Sequence, residues 1–393
     1  MINKGLETYR TYERFLRTLL KFCGCWYMPT KSGKSTYWWS ICVILLMIIY
    51  FILSTHNSYV LRHNLVYMMK FVGIAISAIG AVLKVSTFLV NRRSLMNYHR
   101  TLNDVFEEEL VRNEKIQTIM FSSLPTMCIL TYTYAAVILS LFLAFYMPAY
   151  LFIIRGLCHF HLTTNYTLPL ARGIAHFWTV PDNFLYHFHL FFETVLVIFS
   201  SSTACTIDGT FGLYVYQFAS TMNAMTFRLV NPLSTDNLSD LLRTCIIKHQ
   251  KLLQCRDILE HIYGRIIFWH IVTNAILLCS LMYEITTTLT MDVNSITTFL
   301  TYALVKLLQT FIYAWCGTVL TNAGDDFRKG IYFGGWPNSD LDCHLRTKVI
   351  LMMMQKPMTI NAFVSPVDIA MFTRSVNTTM SYYFLLQSIG DKG

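Results

Sequence analysis

The last apolar segment of the chain carries polar side chains at a regular spacing. Residues 374–388 read RSVNTTMSYYFLLQS. On a helix, at ~100° per residue, one face collects Arg374, Asn377, Thr378, Ser381 and Ser388. One helix gains nothing by turning such a face to lipid, but several copies around an axis would line a water-filled path for ions. The pattern predicts a pore-lining helix, with a stripe for helix packing inside one bundle as the alternative.

Leu385 interrupts this polar face near its end. A ring of leucines from several copies would form an apolar constriction that closes the path by dewetting. The position therefore predicts a gate at Leu385.

Two charged residues fall inside other apolar segments. Glu193 lies nine residues into one segment and Lys306 seven into another, so at ~1.5 Å per residue they reach similar depths. A charge in lipid is costly, so we expect both to face the bundle interior, where they pair or line a polar cavity. The alternative is that the Lys306 side chain extends to the outer surface.

The outer halves of four segments are rich in aromatic and aliphatic side chains, which line sites for small apolar molecules but also fill the core of any helix bundle. With Glu193 and Lys306, the candidate ligand-binding residues are Phe71, Val72, Tyr134, Ile138, Leu141, Phe142, Phe188, Phe191, Phe192 and Tyr302.

Other reactive residues form no recognised catalytic pattern. The histidines between 158 and 189 lack a cysteine or carboxylate cluster, which favours ordinary loop and interface histidines. The stretch SGKST at 32–36 resembles the end of a phosphate-binding loop, but Met28 stands where that loop needs a glycine. The sequence predicts no enzyme, no metal site and no cofactor.

The elements that must position these residues are membrane-spanning helices. Apolar residues make up 54% of the chain and charged residues 13%, about half the soluble average. Segments of roughly 17–25 residues can cross a bilayer. Seven occur, at about 38–55, 65–90, 120–146, 184–220, 263–286, 299–322 and 363–389. We predict an all-α, polytopic membrane protein with one seven-helix domain, whose fourth helix continues beyond the membrane.

The loops differ sharply in basic residues. One alternate set, counting the leader 1–37, holds 23 Lys and Arg and the other holds 4. Cytoplasmic loops carry the excess, so we predict a cytoplasmic amino terminus, an extracellular carboxyl terminus and a cytoplasmic segment at 323–360. The net charge of +9 then reflects topology and not nucleic-acid binding. Asn165, in the sequon Asn-Tyr-Thr, falls in a predicted external loop and is a candidate glycosylation site.

The carboxyl-terminal part resembles the insect odorant receptor family. The matching features are Tyr332 with Trp336, the triplet Gln355-Lys356-Pro357, then Phe363 and Phe372, and the closing Ser381-Tyr382-x-x-Leu385-Leu386.

The resemblance implies an odorant-gated, non-selective cation channel in the dendritic plasma membrane of olfactory sensory neurons. It implies a heterotetramer with an odorant co-receptor, a pore lined by the last helix and gated at Leu385, and cytoplasmic helices in 323–360 that hold subunits together. A small volatile odorant, aromatic or heterocyclic, would bind in the outer half of the bundle between the second, third, fourth and sixth helices.

Within that family the chain resembles a ligand-tuning subunit, since the loop at 221–262 lacks the long insertion of the co-receptor. Asn361-Ala362-Phe363 departs from the usual glycine-rich run before the last helix. Two alternatives remain. A gustatory receptor would be a similar channel without a co-receptor, and Ser381-Tyr382-Tyr383 with Gln387 partly fits its signature. A non-conducting scaffold would leave the polar face unexplained.

Overall fold

The computed structural model describes residues 2–29, 37–63, 65–158, 184–232, 237–287, 293–334, 336, 342–355, 357–363 and 365–390. These ranges are almost entirely helical. The helices are α1 (Ile2–Phe22), α2 (Tyr37–Val60), α3 (Leu65–Val90), α4 (Arg92–Leu110), α5 (Glu114–Phe121), α6 (Leu124–Cys158), α7 (Phe184–Val230), α8 (Leu238–Thr287), α9 (Val293–Tyr332), α10 (Cys343–Met353) and α11 (Ile369–Gly390). The strands β1 (Asn361–Ala362) and β2 (Ser365–Pro366) pair antiparallel.

Six segments are long and apolar enough to cross a membrane, and they lie in α2, α3, α5–α6, α7, α8 and α9. Each of the first six predicted segments overlaps one of them, so the all-α membrane fold is confirmed. The predicted extension of the fourth helix is also present. Helix α7 has 47 residues and measures ~70 Å, far more than the ~30 Å hydrocarbon core.

The last helix begins later than the sequence predicted. Asn361–Ala362 and Ser365–Pro366 form the β1–β2 pair, so the chain is not yet helical there, and Phe363 has a φ of 62°. Asp368 then starts α11, because its Oδ1 accepts a 2.6 Å hydrogen bond from the Met371 amide. With 22 residues, α11 is ~33 Å long, which is enough to cross the hydrocarbon core.

The basic leader contains a core element that the sequence analysis did not recognise. Helix α1 buries Tyr9, Tyr12, Leu16 and Leu20, whose spacing of three and four residues marks one helical face. The Tyr12 hydroxyl shares a 2.8 Å hydrogen bond with Thr131. Helix α1 is therefore anchored to the bundle and is more than a charged tail.

A buried carboxylate ties three helices together at the end of the bundle that the basic loops predict to be cytoplasmic. Glu109 of α4 is fully buried and accepts hydrogen bonds from Arg228 of α7 at 3.1 Å and Lys248 of α8 at 2.7 Å. Glu108 also pairs with Lys248 at 2.7 Å, and this hydrogen bond lowers the pKa of the Glu108 carboxyl.

The segment between α10 and α11 lies unusually close to helix backbones. A methyl group added at Gly317 of α9 would overlap the Val367 carbonyl oxygen, and one at Gly324 would stand 2.6 Å from Met358 Cβ. A methyl group added at Gly264 of α8 would likewise lie 2.8 Å from the Asn361 carbonyl oxygen. Contacts below 3 Å leave no room for a side chain, so these glycines allow the connecting segment to rest on α8 and α9.

Replacing Gly317 with alanine should therefore loosen the start of α11. We expect a loss of about 1–3 kcal/mol, typical of a core forced apart, even though alanine favours helix over glycine by about 1 kcal/mol. Gly212→Ala in α7 is the matched control, because its new methyl group would lie 3.8 Å from the nearest atom, the Tyr12 hydroxyl. Thermal unfolding of the purified protein measures both. Equal increases in the unfolding midpoints of Gly317→Ala and Gly212→Ala would contradict the close approach of Val367 to Gly317.

Candidate ligand site and pore helix

A face of α6 supplies several aromatic side chains of the candidate site. Tyr134, Ile138, Phe142, Tyr146 and Tyr150 follow at intervals of four residues, so neighbouring members lie close together on a face that winds gradually around the helix. Phe142 stacks on Tyr146 with ring centroids 5.1 Å apart. The Tyr150 hydroxyl shares a 2.9 Å hydrogen bond with Thr194 of α7. This face of α6 therefore points into the bundle.

Two of the predicted ligand-binding residues, Phe71 and Phe142, lie in one apolar group with Tyr146 and Leu190, which the sequence did not single out. We call these four residues the aromatic cluster. Phe192 belongs to a second group with Tyr50, Ala78 and Leu196. The two groups adjoin, because Ile74 and Val197 pack against both.

Lys306 of α9 contacts α3 inside the bundle. Its Nζ donates to Ser77 Oγ at 3.2 Å and lies 5.5 Å from the centroid of the Tyr302 ring. The Tyr302 hydroxyl shares a 3.1 Å hydrogen bond with the same Ser77. Lys306 is only 7% exposed, so the alternative that its side chain extends to the surface is wrong.

Of the two arrangements predicted for Glu193 and Lys306, direct pairing is wrong. Glu193 is buried as expected, but its Oε1 lies 3.0 Å from Nε2 of His189, one turn earlier on the same helix. Lys306 turns toward Ser77 instead. Similar depth in the membrane did not place the two groups on facing sides of their helices.

Phe188 and Phe191 lie outside the aromatic cluster. Their side chains are 59% and 62% exposed. Leu190, which lies between them in the sequence, and Glu193, two residues after Phe191, are buried. The two phenylalanines are three residues apart and share the outer face of α7. The other predicted residues, Val72, Ile138 and Leu141, are partly buried, the last two against the main core.

The bundle centre holds a buried charge network that the sequence analysis missed. Asp208 of α7 is completely buried and accepts hydrogen bonds from Lys84 of α3 at 2.5 Å, Gln309 of α9 at 2.8 Å and Tyr134 of α6 at 3.1 Å, as well as from Tyr313. Tyr134 was predicted to line the ligand site, but its hydroxyl serves this network instead. The sequence contained one signal for this network, because Lys84 and Asp208 place opposite charges within two long apolar segments.

The predicted polar face of α11 is turned away from the rest of the chain. The six residues of this face are all exposed: Arg374, Asn377, Thr378, Ser381, Leu385 and Ser388. Thr379 and Tyr383 on the opposite side are buried, as is Met371 near the start of the helix, and α11 packs on α8 and α9. The stripe therefore does not serve helix packing inside the chain's own bundle, which was the alternative.

The serine and threonine hydroxyls of this face are satisfied within α11. Thr378 donates to the Arg374 carbonyl at 2.8 Å and Ser381 to the Asn377 carbonyl at 2.9 Å. The lone pairs of these hydroxyl oxygens remain exposed, so the face offers weak oxygen ligands. Arg374 is the charged residue on this face.

Several predicted features fall where the structure gives no description. Asn165 and three of the histidines considered as metal ligands lie between residues 159 and 183. In the described parts of the chain, no group of three or more His, Cys, Asp or Glu residues is arranged to hold a metal ion.

A model of the family described as "7tm Odorant receptor" matches residues 64–380. The chain belongs to the odorant receptor family. The resemblance to insect odorant receptors at the carboxyl end is thus confirmed over most of the chain, and this odorant receptor is a multi-pass membrane protein.

Curated relatives of this odorant receptor are distant. Odorant receptor 9a of Drosophila melanogaster is 22% identical over 233 residues, which cover 56% of this chain and 59% of the relative. Odorant receptor Or2 of Anopheles gambiae is 22% identical over 149 residues, 38% of this chain and 39% of the relative. The chain thus spans about half the length of the curated relatives it matches.

Solved structures share the fold over the whole length. The insect olfactory receptor OR5 from Machilis hrabei superposes with a TM-score of 0.78 at 13% identity, covering 97% of this chain and 98% of that one. The structure of the same receptor in complex with eugenol gives the same TM-score. At this identity the likeness concerns the fold.

Proposed function

We propose that this odorant receptor is a subunit of an odorant-gated, non-selective cation channel whose pore is lined by α11. The observation that carries the proposal is the polar face of α11, which is exposed along its full length although the helix is long enough to cross a membrane. Such a face is unfavourable in lipid. Copies of α11 arranged around an axis would place it against water and ions.

The ligand would be a small volatile that enters the bundle beside the aromatic cluster. Phe71, Phe142, Tyr146 and Leu190 supply apolar surface there, and Glu193, Tyr302 and Lys306 supply polar groups. A ligand opens a channel only if it binds the open arrangement better than the closed one. The open arrangement would be one in which neighbouring α11 helices separate at Leu385.

The assembly would be a heterotetramer with the shared odorant co-receptor, in the dendritic plasma membrane of olfactory sensory neurons. The bias of basic residues supports a cytoplasmic amino terminus and an extracellular carboxyl terminus. Near the proposed cytoplasmic end, α10 exposes Ile350 and Leu351, and Met354 beside it is 77% exposed. This apolar surface supports a role for α10 in contacts between subunits.

Whole-cell recording tests the proposal directly. We expect a panel of aromatic and aliphatic volatiles to evoke cation current in cells that express this chain together with an insect odorant co-receptor. Cells with the co-receptor alone are the control for responses that do not involve this chain. Labelling of an extracellular tag verifies that the chain reaches the surface.

Three results are distinguishable. Current only with both chains supports a ligand-tuning subunit. Current from this chain alone would contradict the need for a co-receptor and favour a gustatory-receptor-like channel. Surface expression with no current for any volatile would contradict the channel proposal and leave α11 as a face for non-conducting contacts.

A further inference from the structure

Two buried polar atoms beside the aromatic cluster have no hydrogen-bond partner. Glu193 is 6% exposed, and only its Oε1 is engaged, by His189 at 3.0 Å. Its Oε2 is unpaired, and so is the hydroxyl of Tyr146, whose side chain is 2% exposed. Buried polar groups are nearly always hydrogen-bonded, and leaving them unpaired is destabilising.

The two unpaired groups belong to one region of the bundle. Tyr146 of α6 packs with Leu190 of α7 in the aromatic cluster, and Glu193 follows Leu190 by three residues on the same side of α7. One turn further along α6, the Tyr150 hydroxyl shares a 2.9 Å hydrogen bond with Thr194, the residue that follows Glu193. A single small molecule beside the cluster would therefore reach both groups.

We propose that Glu193 and Tyr146 form the polar end of the ligand site and select volatiles that carry a hydroxyl group on an apolar body. The inference rests on the proposed ligand site and adds the class of ligand. A hydroxyl donates one hydrogen bond and accepts another. It satisfies the Glu193 carboxylate as a donor and the Tyr146 hydroxyl as an acceptor, while Phe71 and Phe142 contact the apolar body.

Other functional groups satisfy only part of this pair. An ether, ester or ketone accepts from Tyr146 but has no proton for Glu193, and a hydrocarbon satisfies neither group. An ammonium group donates to Glu193 but has no acceptor for the Tyr146 proton. A site built to hydrogen-bond a hydroxyl discriminates strongly against analogues that lack it, because its buried groups then stay unpaired.

Matched pairs of volatiles test the inference. We would compare phenol with anisole, benzyl alcohol with benzyl methyl ether, and hexanol with hexyl methyl ether. One readout is ligand-induced stabilisation of the purified full-length protein against heat, which needs no channel activity. The other is the dose–response of current with the co-receptor. At least one hydroxyl compound should act at a concentration about tenfold or more below its methyl ether, the scale of one hydrogen bond to a charged group.

Variants then assign the effect to the two residues. Glu193→Gln should reduce the preference for the hydroxyl compound about tenfold and leave the response to its ether nearly unchanged. Tyr146→Phe should weaken the responses to both compounds, because the alcohol and the ether both accept a hydrogen bond from the Tyr146 hydroxyl. Tyr146→Phe removes a hydroxyl that has no partner and keeps the stacked ring, so this variant is expected to fold even if Glu193→Gln does not. Tyr132→Phe is the matched control, because it makes the same change at an exposed position of α6.

The outcomes separate the inference from the channel proposal. Three results would overturn the ligand class: equal effects of alcohols and ethers on the wild-type protein, a preference that Glu193→Gln retains, or unchanged responses of Tyr146→Phe to both compounds. Hydroxyl-selective stabilisation without any current would support the ligand class and count against the channel. Current without hydroxyl selectivity would support the channel and count against the ligand class.

Discussion

Replacing Asp208 with asparagine is expected to keep the chain from reaching the cell surface. The carboxylate is fully buried and is the ion-pair partner of Lys84, which is 1% exposed. Asparagine keeps the size but removes the charge, so Lys84 remains as an uncompensated buried cation. Breaking a buried pair from one side costs about 3–5 kcal/mol, a large part of the roughly 5–15 kcal/mol that holds a protein folded.

Surface labelling of a tagged chain and size-exclusion chromatography of the detergent extract measure this effect. Asp240→Asn, at an exposed position in the first turn of α8, is the control for loss of a carboxylate. Lys84→Met should be as damaging as Asp208→Asn. The double variant Lys84→Met with Asp208→Leu should recover part of the folded protein, since it buries no lone charge. Wild-type surface levels for Asp208→Asn would show that the network is not a stability element.

Replacing Leu385 with serine is expected to produce current in the absence of any odorant. Leu385 is 54% exposed on the polar face of α11 and interrupts an otherwise polar stripe. A small hydroxyl side chain there would keep the proposed constriction hydrated, so the proposed closed state would no longer exclude ions. Whole-cell current before ligand addition, in cells that also express the co-receptor, measures the change.

Met380→Ser is the matched control for the gate. It makes the same change from a large apolar to a small polar side chain on the same helix, at a position ~120° from Arg374 and off the stripe. Its basal current should stay at the wild-type level. A basal current of Leu385→Ser that equals the wild type, at equal surface expression, would remove Leu385 from the role of gate.

Helical periodicity predicted the face of α11 well, because the stripe depends only on residue spacing within one helix. The same reasoning could have identified α1, whose Tyr9, Tyr12, Leu16 and Leu20 share one face. The leader was instead interpreted from its charge. Phe188 and Phe191 were assigned from composition alone, and the facing direction of α7 turns them outward.

Contacts between helices were beyond the reach of the sequence. The rise per residue gave the depths of Glu193 and Lys306, but each found another partner, His189 and Ser77. Which side chains meet depends on the rotation of each helix about its axis, and packing across the whole bundle sets that rotation. The Asp208 network joins four helices and could be assembled only from the packed structure.

If the α11 helices separate at Leu385 as proposed, the close fit of the Val367 carbonyl against Gly317 would make the base of α11 a fixed pivot and the helix a lever. Leu385 lies 18 residues beyond Val367, about 27 Å away, so a tilt of about 10° at the base would carry Leu385 through about 5 Å. Contacts near the pivot would hardly change during such a swing. A small energetic bias from a ligand would then be amplified mechanically into a wide displacement at the far end, without any need to remodel the joint.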